Sequence, residues 1–159
     1  MKEIYPNLYI GSQNDYESIV KYQECWFVIH ACKEPYHRQA LGYFGRSVSK
    51  DNPEYLIARR DNCLILNLID ADSPNYIPKE IIDEAIHAIH DNLENGVRVF
   101  VHCNQGVSRS AVIGLLYLKA VHAINANFTE AEKEYLQLYP LYNPANGMRM
   151  FAQINWNNY

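Results

Sequence analysis

The sequence predicts a single α/β domain with a mostly parallel central sheet flanked by helices. Three observations carry that expectation. Apolar runs at 25–31, 63–69 and 97–101 lack the alternation of a half-solvated strand, so each reads as a strand buried on both faces. Between the second and third runs, Ile81, Ile82, Ala85, Ile86, Ile89 and Leu93 recur at helical spacing, which makes 78–95 an amphipathic crossover helix of the right-handed parallel kind. The apolar stretch 111–121 then reads as a buried helix. A chain of 159 residues without internal repeats can bury one substantial core, so one domain over 1–159 is expected.

The elements follow in chain order. A short strand at 8–10 leads to Ser12, which caps a helix reaching Tyr22, with Asp15 at the capping-box position. After the strand 25–31 comes a segment, 33–62, too long for a structureless connection in a compact domain. Within it, Asn52 and Pro53 followed by EYLIARR read as a capped short helix, with Glu54 in its first turn and Arg59 and Arg60 at its carboxyl end. The helix 78–95 begins on a proline and stops before Gly96. Thr129 and Glu132 form a capping box for a helix ending near Pro140, and Asn143 with Pro144 opens the last helix.

The chemistry concentrates where strand 97–101 turns into helix 111–121, in the nine residues HCNQGVSRS from His102 to Ser110. The first amides of a helix have no internal acceptor and carry partial positive charge, so a loop at that point can surround a phosphate with donors. A cysteine held there beside a guanidinium ionises more readily than a free thiol, and thiolate is the nucleophile; Cys103 is the candidate. Arg109 supplies a planar fork for two phosphate oxygens, which lysine cannot reproduce. Gly106 lets the backbone turn close to a ligand, and Ser110 can donate to the Cys103 sulfur.

This constellation resembles the cysteine phosphatase signature HCxxGxxRS, and the ending GxSRS is similar to the dual-specificity branch of the protein tyrosine phosphatase superfamily. The opening IYPNLYIGSQND (4–15) and NPANGMRMF (143–151) resemble the start and closing helix of the same family, with Met148 where phenylalanine is usual. Residues 33–62 have no counterpart in its compact members and look like an insertion. The resemblance implies that Cys103 attacks phosphorus to form a phosphocysteine. The loop residues Asn104, Gln105, Gly106, Val107, Ser108 and Arg109 would hold the phosphate oxygens, and His102 would hydrogen-bond loop backbone. It also implies a general acid on the loop after strand 63–69. Similarity to the family's spacing, in which the acid lies a few residues before an aromatic and a helix start, aligns Asp72 with that role and Tyr76 with the aromatic, and leaves Asp70 as a loop-shaping residue or the alternative acid. No metal or cofactor is expected.

The composition excludes several classes. A net charge of −4 with no basic tail disfavours nucleic acid, and no apolar stretch is long enough to cross a bilayer. The start, MKEIYPNLY, lacks a signal-peptide core, so a cytoplasmic address is expected. Cys25, Cys32, Cys63 and Cys103 show no CxxC spacing; the first three read as packing residues, with a redox partner for Cys103 as the alternative. Family relatives that act on inositol phospholipids resemble one another in placing lysines in this loop, so the neutral side chains at 104, 105, 107 and 108 favour a phosphoprotein over an inositol phosphate, and acidic charge disfavours RNA 5′ ends. A phosphate-binding module without turnover is the alternative of a different class. Residues 33–62 hold six cationic against four acidic side chains; they read as a surface insertion with ordinary helix-end charges, with Tyr36, His37, Arg38 or Arg46 lining the phosphate pocket as the functional alternative. His87 and His90, three apart on a helix, read as a solvated face rather than metal ligands.

Overall fold

The structure, a computed structural model, describes residues 1–159. The strands are β1 (Lys2–Tyr5), β2 (Leu8–Ser12), β3 (Trp26–His30), β4 (Ile57–Arg60), β5 (Cys63–Leu66) and β6 (Arg98–Cys103). They form one sheet in the order β1-β2-β6-β3-β5-β4, in which β2, β6, β3 and β5 are parallel and the outer strands β1 and β4 antiparallel. The helices are α1 (Gln13–Ser18), α2 (Arg38–Leu41), α3 (Lys79–Glu94), α4 (Arg109–Ala120), α5 (Phe128–Leu138) and α6 (Asn146–Asn155).

Because strand side chains alternate, β3 and β6 feed two cores. Val99, Val101 and Ile29 face the main core with Leu115, Leu116 and Ile82; Phe100, Val28 and Trp26 face a smaller cluster with Val20. The central strands are buried on both faces, as their uninterrupted apolar runs require, and each fully buried Leu or Ile there contributes about 1.5–3 kcal/mol. The sheet places the ends of β2, β3 and β6 side by side, and the loop after β6 opens over that edge.

Several local expectations are corrected. EYLIARR is not a helix: a turn covers 51–56 and Ile57–Arg60 pairs antiparallel with β5 across the two-residue turn Asp61-Asn62. Cross-strand burial of Ala58 outweighs the helix-end charges. Arg59 and Arg60 instead shield an exposed sheet edge, paired to Glu84 and Glu54. The Thr129 capping box does not form, since Asn127 caps α5 by accepting from the Glu130 amide at 3.1 Å. Glu132 is engaged elsewhere, by Arg149 and the Tyr142 hydroxyl. The Ser12 capping box with Asp15 is present, but the α-helix stops at Ser18 and a 3₁₀ turn, Val20–Tyr22, carries Val20 into the smaller cluster. Residues 143–145 do not begin the last helix because their amides at 143 and 145 are tied to the loop after β6. The strand β1 was not expected from the sequence. No helix is long and apolar enough to cross a membrane.

Candidate active site

Cys103 ends β6 and Arg109 begins α4, so the five residues between them bridge a strand end and a helix start. The Cys103 sulfur lies at the floor, 1% exposed, and accepts from the Gly106 amide and the Ser110 hydroxyl, both at 3.3 Å. The same hydroxyl lies 3.3 Å from the Gly11 carbonyl, an alternative acceptor for its one proton. Gly106 has φ +79°, and a Cβ there would meet the Gly11 carbonyl carbon at 2.8 Å, so only glycine fits.

The loop is braced from outside. The Tyr139 hydroxyl donates to the Gly106 carbonyl at 2.9 Å, the Asn143 amide to the Val107 carbonyl at 2.9 Å and the Gln13 amide to the Asn104 carbonyl at 3.2 Å. Asn104 Nδ2 reaches the Glu34 carbonyl at 2.9 Å. The Gln13, Tyr139 and Asn143 donors hold the Asn104, Gly106 and Val107 carbonyls from outside the loop. Arg109, 9% exposed, donates from Nη1 to the Leu68 carbonyl at 3.2 Å and from Nη2 to Asn104 Oδ1 at 2.6 Å; its buried Nε has no hydrogen-bond partner. An unpaired buried N–H costs about 1–3 kcal/mol, which an incoming anion would recover.

Cys103 and Arg109 line a cavity of about 250 Å³ together with Asn104, Gln105, Val107, Ser108 and Asp70, while Gly106 shapes the loop without lining it. The loop residues expected from the sequence are therefore gathered in one place. The two acid candidates separate. Asp70 Oδ1 accepts from the Ser108 hydroxyl at 2.7 Å, and its Oδ2 lies 3.8 Å from Arg109 Nε. Asp72 is exposed on the following loop, held through its backbone carbonyl by Asn146 Nδ2 at 3.1 Å. Tyr76 is exposed in the 3₁₀ turn Pro74–Tyr76. That loop rests on α6 without clearance: a Cβ on Gly147 would sit 2.1 Å from the Ala71 carbonyl oxygen. Gly147→Ala is accordingly expected to destabilise the protein by about 1–3 kcal/mol through overpacking. A denaturation midpoint equal to wild type would show that the loop gives way freely.

No residue of 33–62 lines the cavity, which goes against the reading that Tyr36, His37, Arg38 or Arg46 lines it. Tyr36 and His37 are buried, the latter between the Tyr43 hydroxyl and the Glu54 carbonyl. Arg38 is consumed by Glu34 and by the Tyr43 and Gly45 carbonyls. Arg46 is exposed, its carbonyl taken by Lys33 Nζ. The segment contributes bracing through Glu34 rather than phosphate contacts. Burial pushes the Cys32 thiol up to about 12; Cys63 is half-buried and Cys25 exposed. His87 and His90 lie on the exposed face of α3, and no group of three or more His, Cys, Asp or Glu side chains is placed to hold a metal ion.

The sequence did not single out His30. It lies beside His102 on the neighbouring strand, with Nδ1 2.6 Å from His102 Nε2, both side chains buried. Burial drives the pKa of His30 down to about 3 and that of His102 to about 4. Only strand pairing brings them together, so no local signal could have found the pair.

Comparison with known proteins gives a consistent result. Residues 44–131 match the family model for the dual specificity phosphatase catalytic domain. The chain is 30% identical to dual specificity protein phosphatase 15 of Mus musculus over 94 residues, which is 58% of this chain and 39% of that relative. It thus spans about two fifths of the length of that curated relative. Among solved structures, the human tyrosine phosphatase-like serine/threonine/tyrosine-interacting protein superposes with a TM-score of 0.69 at 19% identity, covering 100% of this chain and 97% of that one. A leucine rich repeat and phosphatase domain containing protein from Entamoeba histolytica gives 0.69 at 16% identity, covering 99% and 90%. At those identities the two structures speak to the fold.

Proposed function

The chain belongs to the dual-specificity phosphatase family, and from that premise we propose that it hydrolyses phosphotyrosine, and phosphoserine or phosphothreonine, in proteins through a phosphocysteine intermediate. The observation that carries this reading is the Cys103 sulfur with two donors on it, lining one cavity with Arg109, whose buried Nε has no hydrogen-bond partner.

In the first step the Cys103 thiolate attacks phosphorus in line with the leaving oxygen. The P–O bond breaks as Asp72 passes its proton to that oxygen. Loop amides and the Arg109 fork hold the equatorial oxygens, where preorganised donors stabilise developing charge. In the second step water attacks the phosphocysteine and gives its proton to Asp72. The Ser110 hydroxyl then stabilises the departing thiolate, and inorganic phosphate leaves.

The cavity offers one guanidinium, no lysine and one carboxylate, so it suits a single phosphoryl group better than a polyphosphorylated headgroup. The test is release of phosphate from phosphotyrosine, phosphoserine and phosphothreonine peptides in the presence of EDTA. Turnover of the first and at least one of the others is expected. Binding of these peptides without release would replace the enzyme reading with a phosphate-binding module.

A further inference from the structure

Behind the nucleophile lies a polar pair that the proposed chemistry does not use. Strand alternation turns His102 towards the smaller cluster, stacked 5.5 Å from Phe100, while the next residue, Cys103, belongs to the opposite, main core. His102 therefore reaches the site through backbone alone: its Nδ1 lies 3.4 Å from the Cys103 carbonyl oxygen. His30, its register partner on β3, presents Nδ1 to His102 Nε2 at 2.6 Å.

Two nitrogens that close share one proton, since two lone pairs would repel and two N–H groups would clash. If the proton belonged to His102 Nε2, the neutral ring would turn a bare Nδ1 lone pair on the Cys103 carbonyl oxygen. If it belongs to His30 Nδ1, His102 carries its own proton on Nδ1 and donates it to that carbonyl. The second arrangement satisfies every contact.

We propose that His30 is a positioning residue for the nucleophile: by donating to His102 Nε2 it holds His102 in the tautomer that donates to the Cys103 carbonyl. The inference deepens the phosphatase reading and rests on it for the role of Cys103. The Cys103 carbonyl belongs to the same peptide group as the Asn104 N–H of the phosphate loop. Hydrogen bonding to the oxygen polarises that group and strengthens the amide as a donor within the loop. It also fixes the end of β6, from which the thiol projects.

The surroundings keep the pair neutral and its ring planes fixed. Tyr16 stacks on His102 at 5.0 Å and 5°, and Tyr36 stacks on His30 at 4.2 Å and 19°. Burial is the largest influence on both imidazoles and favours the uncharged form. The charged groups that act on His102 are Glu17 and Asp15, which favour its cation, and Arg109, which opposes it. Glu17 is itself held by Lys21 and by the Tyr36 hydroxyl. At neutral pH the donor role therefore falls to a neutral His30, a role that an asparagine amide could also fill.

The experiment is alkylation of Cys103 by iodoacetamide, followed by mass spectrometry across the acidic to neutral range, in wild type, His30→Asn and His30→Leu. His30→Leu keeps bulk but donates nothing. Its alkylation at the acidic end is expected to slow about threefold to tenfold, the scale of one hydrogen bond, with the profile displaced to higher pH. His30→Asn is expected to restore most of the wild-type rate. An unchanged profile in His30→Leu, or an equal loss in His30→Asn, would overturn the proposal. Should the leucine variant not fold, ¹⁵N NMR of the wild-type imidazoles decides: a proton on His102 Nδ1 is expected, and one on Nε2 refutes the assignment. Alkylation needs no turnover, so an inactive protein with the expected profiles would remove the phosphatase reading and leave the tautomer relation standing.

Discussion

Cys103→Ser is expected to lower hydrolysis of an aryl phosphate by about 10³-fold or more while leaving the fold and phosphate binding intact. The sulfur and the hydroxyl occupy nearly the same space, and the Gly106 and Ser110 donors that meet the sulfur at 3.3 Å remain to meet an oxygen. What changes is ionisation. These donors suit an anion, and a serine hydroxyl does not ionise at neutral pH without a base. The cavity lining offers no imidazole to act as one: His30 and His102 lie behind the strand, and Asp70 is bound to Ser108 and close to Arg109. The check is a paired assay, with hydrolysis in EDTA for both proteins and binding of a phosphopeptide by the variant. Binding retained without turnover is the expected result. Residual hydrolysis within tenfold of wild type would mean that the nucleophile is not Cys103.

The phosphate loop was legible in the sequence because every signal that defines it is local: a buried strand, a glycine where φ must be positive, an arginine at a helix start and a hydroxyl one residue later. The crossover from β5 through α3 to β6 was legible for the same reason, as helical spacing between uninterrupted apolar runs. Segments whose structure depends on distant partners were not. Ile57–Arg60 carries a helix-like charge pattern and becomes a strand because β5 pairs with it. Thr129 matched a capping box, yet the helix begins two residues earlier, where Asn127 caps it by accepting from the Glu130 amide. The cationic side chains of 33–62 suggested a phosphate contact, but Arg38 is spent on neighbouring carbonyls and Glu34. His30 shows the limit most clearly, since its meaning comes wholly from the residue beside it on another strand.

Asp72→Asn and Asp70→Asn are expected to part company, and the direction of the difference identifies the acid. Asp72 is exposed, is not among the residues that line the cavity and makes no side-chain hydrogen bond to the phosphate loop, so its carboxyl is free to be carried to substrate by movement of its loop. Removing it should cost about 10²–10⁴-fold in kcat for an alkyl phosphate, whose leaving oxygen needs the proton. The cost should be much smaller for an aryl phosphate with an acidic phenol, and the basic limb of the pH profile should flatten. Asp70 is placed differently. Its Oδ1 receives the Ser108 hydroxyl, and that hydroxyl accepts from the Ala145 amide at 3.0 Å, so the carboxylate ties the acid loop to the phosphate loop and to the start of α6. An asparagine oxygen can still accept from Ser108. What Asp70→Asn removes is a negative charge lining the cavity proposed to take a phosphate anion, 3.8 Å from Arg109 Nε. Its expected effect is a lower KM, by about twofold to tenfold, with kcat nearly unchanged. The leaving-group series separates the two cases without ambiguity. If the steep dependence on leaving group appears in Asp70→Asn and not in Asp72→Asn, the acid is Asp70, and the loop must move so that its carboxyl leaves Ser108 to meet the substrate.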